Sequence, residues 1–552
     1  MFAKCGSFND AIMIFEEMPY RDLKSWTVII CGAVHNREYL EAMCLFKRMR
    51  IEGFRPDSVS VVAVLPACSR LECGRSKALG MTLHGCAISC GFEDDLFVSN
   101  ALIDMYCKCG DTLKGQSVFC NMVHKDAVSW GTLIAGYSQN CECQKSVDLY
   151  MEMTMSGLRT NAVTVASVLP GFGKLGLLKQ GKEMHNYILK QGFEDDNVVG
   201  SALIDMYSNC GSSREAEHVF EFTSHRDIML WNSMIAGHSG NDQNDSAFRV
   251  FRGIWDCKLK PNSITLMSIL PVCTKLGALK QGKEIHGHAI RSSLLNVTSV
   301  GNSLIDMYCK CGFLQLGVNL FNCMMEKNAV TYNTIISSHG IHGCAENAFS
   351  FFHQMKAARV KPTKLTFIAL LSACSHAGLV DRGWSLFNSM VNHYGMQPDM
   401  EHYSCMVDLL GRAGQIEEAC NFISRMPIKP ENDIWLGLLG ACRLHNKLQL
   451  AKEVGDHILQ TGSTDSGCHI LMSNLYASAE RWEDASKVRI MLKENGLTKK
   501  PGHSWIQVDR QIHVFKARQT NHTEFENVSP VLENLLLEMK REENISEPNL
   551  LP

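Results

Sequence analysis

Four stretches of this chain carry residue types that do chemistry elsewhere. Gly171, Gly173 and Gly176 in "GFGKLG" spell G-x-G-x-x-G, the spacing with which a tight turn lets backbone amides approach a dinucleotide pyrophosphate. That chemistry needs a strand before the glycines and a helix after them. The chain supplies its own control further on, where "VCTKLG" puts Val272 and Thr274 in place of two of the glycines. His522 and Glu524 in "HTE" match the H-x-E half of a zinc deaminase site, whose other half, P-C-x-x-C, holds the metal that activates water. No cysteine follows Cys468 and no two cysteines stand in C-x-x-C spacing, so the second pair of zinc ligands is missing. Cys107 with Cys109, and Cys309 with Cys311, flank a lysine at a helix turn, where the two thiols diverge; they read as packing and turn residues. These residues argue against catalysis, and no cofactor or metal is expected.

What recurs is a phrase. "NALIDMYCKCG" from Asn100, "SALIDMYSNCG" from Ser201 and "NSLIDMYCKCG" from Asn302 follow one another at a fixed period, with "SCMVDLLGRAG" from Ser404 and a worn copy, "MFAKCG", at the start. Within one period, units begin at Ala127, Ala162 and Asn197. Each unit shows two short helical patterns: Ala42, Leu45, Phe46 and Met49 fall at i, i+3, i+4 and i+7, as do Ala348, Phe351, Phe352 and Met355. Gly110, Gly211 and Gly312 separate first helix from second, and the prolines of "GFRPD", "KLKPN" and "RVKPT" close units. One such hairpin cannot bury its apolar face alone and must stack on its neighbours. The expected fold is all-α, a right-handed α-solenoid superhelix.

Composition narrows the partners. The 552 residues are 45% hydrophobic and 20% charged, with a net charge of -3, which is globular material several domains long. No apolar run reaches the ~18 residues of a membrane helix, so no membrane partner is expected. The 24 cysteines lie mostly inside apolar helical patterns and read as reduced, buried thiols. A pI near 6.7 argues against sequence-independent binding of a polyanion, which rests on clustered Lys and Arg. If the partner is a nucleic acid, base contacts must matter.

Two repeat families share the hairpin grain. The tetratricopeptide repeat keeps a length of about 34 residues with a Trp-Leu-Gly-Tyr pattern, and neither occurs here. Units such as "AVTYNTIISSHGIHGCAENAFSFFHQMKAARVKPT", from Ala329 to Thr363, resemble the pentatricopeptide repeat family, and their rhythm resembles the P, L and S triplets of its plant members. The resemblance assigns P-type units to 23–57, 127–161, 228–262 and 329–363, L-type units to 58–95, 162–196, 263–297 and 364–399, and S-type units to 96–126, 197–227, 298–328 and 400–431. That is twelve repeats over 23–431, behind a truncated S-type repeat at 1–22. Met1 would fall inside that unit's first helix, so the reading expects a truncated gene product without its transit peptide. "IWLGLLGACRLHNKLQLAKEVGDHIL" from Ile434 and "LMSNLYASAERWEDASKVRIMLKENGLTKKPGHSWIQV" from Leu471 resemble the family's E extension, assigned to 432–508 as further helix pairs. Trp505 sits in its "PG-x-SWI" phrase, with His503 where the family more often has Cys. An E-plus-like segment at 509–541 and a disordered tail at 542–552 complete the assignment. The deaminase-like DYW domain that ends many relatives is expected to be absent.

The fifth residue of the P- and S-type units is Thr27, Asn100, Gly131, Ser201, Asn232, Asn302 or Asn333, and the last is Asp57, Asp126, Asn161, Asp227, Asn262, Asn328 or Thr363. On backbone grounds alone these read as caps and turn residues. The resemblance implies more, since in pentatricopeptide proteins the two positions converge on one exposed RNA base per repeat. Guanine and uracil present an imino N–H that an Asp carboxylate accepts; adenine and cytosine present a bare ring nitrogen to which an Asn amide donates. The family pairs Thr or Ser at the fifth position with purines and Asn with pyrimidines. Thr27 with Asp57 then implies G, Asn100 with Asp126 U, Ser201 with Asp227 G, and Asn232 with Asn262 C, with U second. Asn302 with Asn328 and Asn333 with Thr363 imply pyrimidines, while Gly131 and the L-type units with Ala166, Met267 or Ile368 stay unread. Val128, Val198 and Val330, at the second position, either wedge between bases or pack the start of the helix.

The resemblance thus implies a sequence-specific single-stranded RNA-binding protein, without enzyme activity, that recruits a deaminase-bearing partner through its E and E-plus region for C-to-U editing in a mitochondrion or chloroplast. Other organellar roles, in splicing, stability or translation, fit the same reading, and a protein-binding scaffold is the alternative from a different class.

Overall fold

The computed structural model describes residues 2–71, 75–445, 447–460, 466–478, 480–494, 503–508, 511–516 and 525–542. His522, Glu524 and the tail from 543 lie outside these residues. The chain divides into two compact units, residues 1–269 and 270–552.

Both units are built from helix hairpins. First helices of 13 residues start at Leu23, Ala127, Ala162, Asn197 and Ile228 in the first unit and at Thr298, Ala329 and Met400 in the second. Their starts are dictated locally. Asp22, Asp57, Asp126, Asn161, Asp227 and Asn328 each stand in extended backbone before a helix and accept a hydrogen bond from an amide two or three residues on, satisfying donors that a helix start leaves orphaned. Left-handed glycines turn the chain between helices, as at Gly110, Gly211 and Gly312.

Packing repeats with the sequence. In the first unit an aromatic pair joins each short second helix to the next first helix: Phe15 meets Trp26 edge-on at 4.7 Å, Phe119 meets Trp130 at 5.0 Å and Phe220 meets Trp231 at 4.8 Å. Phe321 and Tyr332 do the same at 5.3 Å in the second unit. Such pairs add to burial a preference for one geometry, and so hold the register of stacking. A second recurring pair is polar. His84 hydrogen-bonds Tyr106 at 2.9 Å, His185 bonds Tyr207 at 2.9 Å and His286 bonds Tyr308 at 2.8 Å. First helices lie side by side, Ala162–Lys174 on Asn197–Asn209 and that on Ile228–Gly240; in the second unit Ala329–Ile341 lies on Lys364–Ala377. This brings the start of each first helix next to the start of the following one.

The helix array continues beyond the repeats: Asn432–Leu444 packs on Met400–Arg412 and pairs with Leu448–Gln460, and Ser466–Ser478 pairs with Trp482–Glu494. The all-α reading needs one addition here. His503–Val508 and Gln511–Lys516 form an antiparallel hairpin, Val508 opposite Gln511 and Trp505 opposite Val514, so the segment to 508 is not made of helix pairs alone. The physical reason lies in the sequence: β-branched and aromatic strand formers make up half of each stretch, Trp505, Ile506 and Val508 in one and Ile512, Val514 and Phe515 in the other, and the sequence puts only two residues between them. Phe525–Glu542 is again a helix. No described helix is long and apolar enough to cross a membrane.

Candidate nucleic-acid interface

The "GFGKLG" glycines belong to helix packing. Gly171 and Gly173 lie inside the helix Ala162–Lys174, with no strand before them, and Gly176 supplies a left-handed turn at φ +67°. A Cβ on Gly173 would sit 3.0 Å from the Met206 Cα, so glycine there permits a close helix crossing. The C-x-C thiols are packing groups too. Burial pushes Cys107 up to about 12, and pushes Cys109, Cys309 and Cys311 up as well, which disfavours the thiolate that a metal would need.

The fifth and last positions meet where neighbouring first helices begin. The capping bonds at the last position land on one atom. Ser60 N donates to Asp57 Oδ1 at 2.8 Å, Ser129 N to Asp126 Oδ1 at 2.8 Å, Thr164 N to Asn161 Oδ1 at 2.8 Å, Leu230 N to Asp227 Oδ1 at 3.1 Å, Thr265 N to Asn262 Oδ1 at 3.0 Å and Thr331 N to Asn328 Oδ1 at 3.0 Å. These residues are therefore caps, as the backbone argument expects. The cap fixes the side chain through Oδ1 and leaves the helix no use for its other polar atom. That atom is an acceptor, Oδ2, in Asp and a donor, Nδ2, in Asn.

The fifth-position residues fall into groups. Asn232 Nδ2 donates to Asn262 Oδ1 at 3.2 Å, and Asn333 Nδ2 donates to Thr363 Oγ1 at 3.1 Å, so these two pairs are joined directly. Asn100 lies beside Asp126, its own Oδ1 buried without a hydrogen-bond partner. Burial raises the Asp126 carboxyl, but hydrogen bonds from Ser129 and from Asn100 outweigh it and hold the pKa below the usual value. Thr27 and Ser201 instead donate to their own helices, at Leu23 O (2.9 Å) and Val198 O (3.0 Å), and are not hydrogen-bonded to Asp57 or Asp227. Asn302 is buried and its Oδ1 has no hydrogen-bond partner. Gly131 has no room for a side chain, because a Cβ there would stand 2.6 Å from Thr164 Oγ1.

The second positions are exposed. Val128, Val198 and Val330 show 53%, 53% and 55% of their surface, so packing at the start of the helix does not bury them. Val59, Phe97, Val163, Met229, Ile264 and Leu365 are exposed at the same register, a ladder that the sequence reading recognised at only three places. Seven and eleven residues further along a helix return to within about 20° of the same direction. At that register Asp104 pairs with Lys108 at 2.6 Å, Asp306 with Lys310 at 2.9 Å and Asp408 with Arg412 at 2.9 Å. One face of the first helices thus carries, in order, exposed apolar residues, the paired polar positions and ion-paired cations. The residue that sequence reasoning missed is the third of the following helix in six of the seven pairs, where Ser60, Ser129, Thr164, Thr265, Thr331 and Thr366 place hydroxyls within reach of the caps. A Ser or Thr three residues after an Asp or Asn cap signals a capping box, but not a contact across hairpins.

Comparison with known proteins supplies the family. The PPR repeat description matches residues 1–23, 24–54, 97–126, 128–158, 229–258, 302–328, 365–394 and 401–429, the PPR repeat family description matches 327–376, and an E motif matches 445–507. In Arabidopsis thaliana, the pentatricopeptide repeat-containing protein At3g57430, chloroplastic, is 37% identical over 98% of this chain, which spans 62% of that protein's length. The putative pentatricopeptide repeat-containing protein At3g23330 is 33% identical over 98% of this chain and 80% of its own length. Among solved structures, the pentatricopeptide repeat protein PPR10 in complex with an 18-nt psaJ RNA element is 18% identical, with a TM-score of 0.47 over 90% of this chain and 74% of that one. The chain belongs to the pentatricopeptide repeat family, with an E motif following its repeats.

Proposed function

We propose that this protein binds single-stranded RNA in a sequence-specific manner, one base per hairpin, through the pairs Thr27/Asp57, Asn100/Asp126, Ser201/Asp227, Asn232/Asn262, Asn302/Asn328 and Asn333/Thr363, with Gly131/Asn161 reading no base through its fifth position. The observation that carries this reading is the capping geometry. Each Asp or Asn at the last position is anchored through Oδ1, so an Asp there offers a base an acceptor and an Asn offers a donor, the difference that separates keto from amino bases on the Watson-Crick edge. The exposed apolar ladder suits stacking against successive bases, which in single strands are free to splay. With a net charge of -3 and cations on this face tied to carboxylates, phosphate attraction alone gives little affinity, and binding depends on the bases.

In this reading the repeats follow the P-L-S pattern, the chain has no catalytic activity of its own, and the E motif with the segment after it recruits a deaminase that edits C to U near the bound sequence. The action is organellar, in keeping with several relatives being named chloroplastic. A gel-shift titration tests the binding step. An oligonucleotide carrying G, U, G, C and pyrimidines at the read positions should bind at least about tenfold more tightly than its shuffled counterpart, each mismatch costing ~1 to 3 kcal/mol by analogy with groove readout. Equal affinity for both would remove the sequence-specific reading. Sequencing organellar transcripts from a plant lacking the protein then tests the editing step, through loss of conversion at a discrete site.

A further inference from the structure

The pairs Asn232/Asn262 and Asn302/Asn328 have identical side chains but different surroundings. At the first, a closed ring of hydrogen bonds includes a third residue. Asn262 N donates to Thr265 Oγ1 at 3.1 Å, Thr265 Oγ1 donates to Asn232 Oδ1 at 2.6 Å, Asn232 Nδ2 donates to Asn262 Oδ1 at 3.2 Å, and Thr265 N donates to that same oxygen at 3.0 Å. A hydroxyl has one proton, and the shorter contact places it on Asn232. The Thr265 N–H holds Asn262 Oδ1 in place, so turning the Asn232 amide over would set its oxygen against that oxygen and leave the Thr265 hydroxyl only Asn262 Oδ1, at 3.0 Å, as an acceptor. A related ring forms at Asn333, with the Thr363 hydroxyl in place of the Asn262 amide oxygen: Thr363 N donates to Thr366 Oγ1 at 2.9 Å, Thr366 Oγ1 to Asn333 Oδ1 at 2.6 Å and Asn333 Nδ2 to Thr363 Oγ1 at 3.1 Å, so the Thr366 proton is what selects the amide's sense there. At Asn302 it does not form. Thr331 is bound to Asn328 at 3.1 Å, and Asn302 Oδ1 is buried without a partner.

We propose that Thr265 and Thr366 are positioning residues that fix the amide orientation of Asn232 and Asn333, so that these positions present only N–H donors to the base, whereas no hydroxyl holds the Asn302 amide oxygen. This rests on the proposed base reading. Both amides at Asn232/Asn262 then face the base as donors. Cytosine, with O2 and N3 as adjacent acceptors, satisfies both, while uracil sets its N3–H against one of them. The Asn232/Asn262 hairpin selects C over U; the Asn302/Asn328 hairpin, with the same two residues, tolerates either.

The test uses the full chain and pairs of RNA oligonucleotides that differ by C or U at one read base. For the wild-type protein the C-to-U affinity ratio should be larger at the Asn232/Asn262 base than at the Asn302/Asn328 base. Thr265→Val keeps shape and removes the hydroxyl, and should lower that ratio about fivefold, the worth of one net hydrogen bond, while Thr265→Ser retains it. Thr331→Val loses an equivalent capping contact without touching Asn302, and should leave the ratio at its own base unaltered. Thr366→Val, read at the Asn333 base, repeats the measurement where Thr265→Val folds poorly. Discrimination by the wild type that survives Thr265→Val and Thr366→Val would overturn the positioning role alone. Equal falls for Thr265→Val and Thr331→Val would assign the effect to capping and also overturn it. A wild type that does not distinguish C from U at either base but prefers both to purines would overturn the C-over-U selection, and one that accepts purines equally there would overturn the base reading itself.

Discussion

Asp57, Asp126 and Asp227 each cap a helix through one carboxyl oxygen, and the proposed reading gives the other oxygen a second, separable job at the base. Oδ1 caps a helix, and Oδ2 is the atom that an asparagine would replace with an amide nitrogen. The two jobs predict opposite responses to two substitutions. Asp57→Ala and Asp126→Ala remove the cap and should each cost about 1 kcal/mol, read as a lower urea midpoint. Asp57→Asn and Asp126→Asn keep an oxygen at the capping position, and should leave the midpoint close to wild type. Equal losses for Ala and Asn would mean that the second oxygen also holds the fold, and that it has no freedom to meet a base.

Helices pack closely enough here that single glycines decide the fit. A Cβ on Gly136 would lie 2.7 Å from Cys107 Cβ and closer still to its Sγ, and neither atom can swing away as the end of a long side chain would. Gly136→Ala should therefore destabilise by about 1 to 3 kcal/mol through overpacking. Gly85, in the helix Arg75–Cys90 with nothing within 4 Å of its built Cβ, is the contrasting case: Gly85→Ala should stabilise by up to about 1 kcal/mol. Thermal melts of both variants check the pair. At this scale the sequence was legible where a signal is local. The residues before each first helix, Asp57 or Asn328 for example, announce a cap within four residues of chain, and the apolar spacing of Ala348 to Met355 announces a buried face. What was not legible depends on register between helices. Thr265 reads as part of a capping box, and only the stacking of one hairpin on the next brings its hydroxyl to Asn232, 33 residues earlier. The exposed residues Val59, Val163 and Leu365 read as ordinary helix apolar residues until the face they share is known. The hairpin at 503–516 carries its strand signal in β-branched and aromatic residues, which the expectation of helix pairs overrides.

Across the whole molecule, the recurring His–Tyr pairs couple stability to pH. Burial pushes His84, His185 and His286 below the usual histidine value. A folded-state pKa below the unfolded value of about 6.5 means that the unfolded chain binds the proton more readily. The stabilisation is complete above that value and is lost as pH falls through it toward the lowered folded values. The urea midpoint should be lower at about pH 5.5 than at about pH 7.5, and replacing the three histidines by Gln should flatten the difference.

The central claim is that a chain of caps is also a chain of base readers, and Asp227 tests it most directly. Its Oδ1 accepts from Met229 N at 3.0 Å and Leu230 N at 3.1 Å, and Leu230 brings no third-position hydroxyl to complicate the site. The measurement is competition binding of two oligonucleotides that differ only by G or A at the base assigned to Ser201 and Asp227, for the wild type and for Asp227→Asn. The account predicts a switch in preference from G to A, altering the ratio of affinities by roughly tenfold or more, with neighbouring positions unaffected. A uniform loss of affinity for both RNAs, with the G-to-A ratio unaltered, would contradict it.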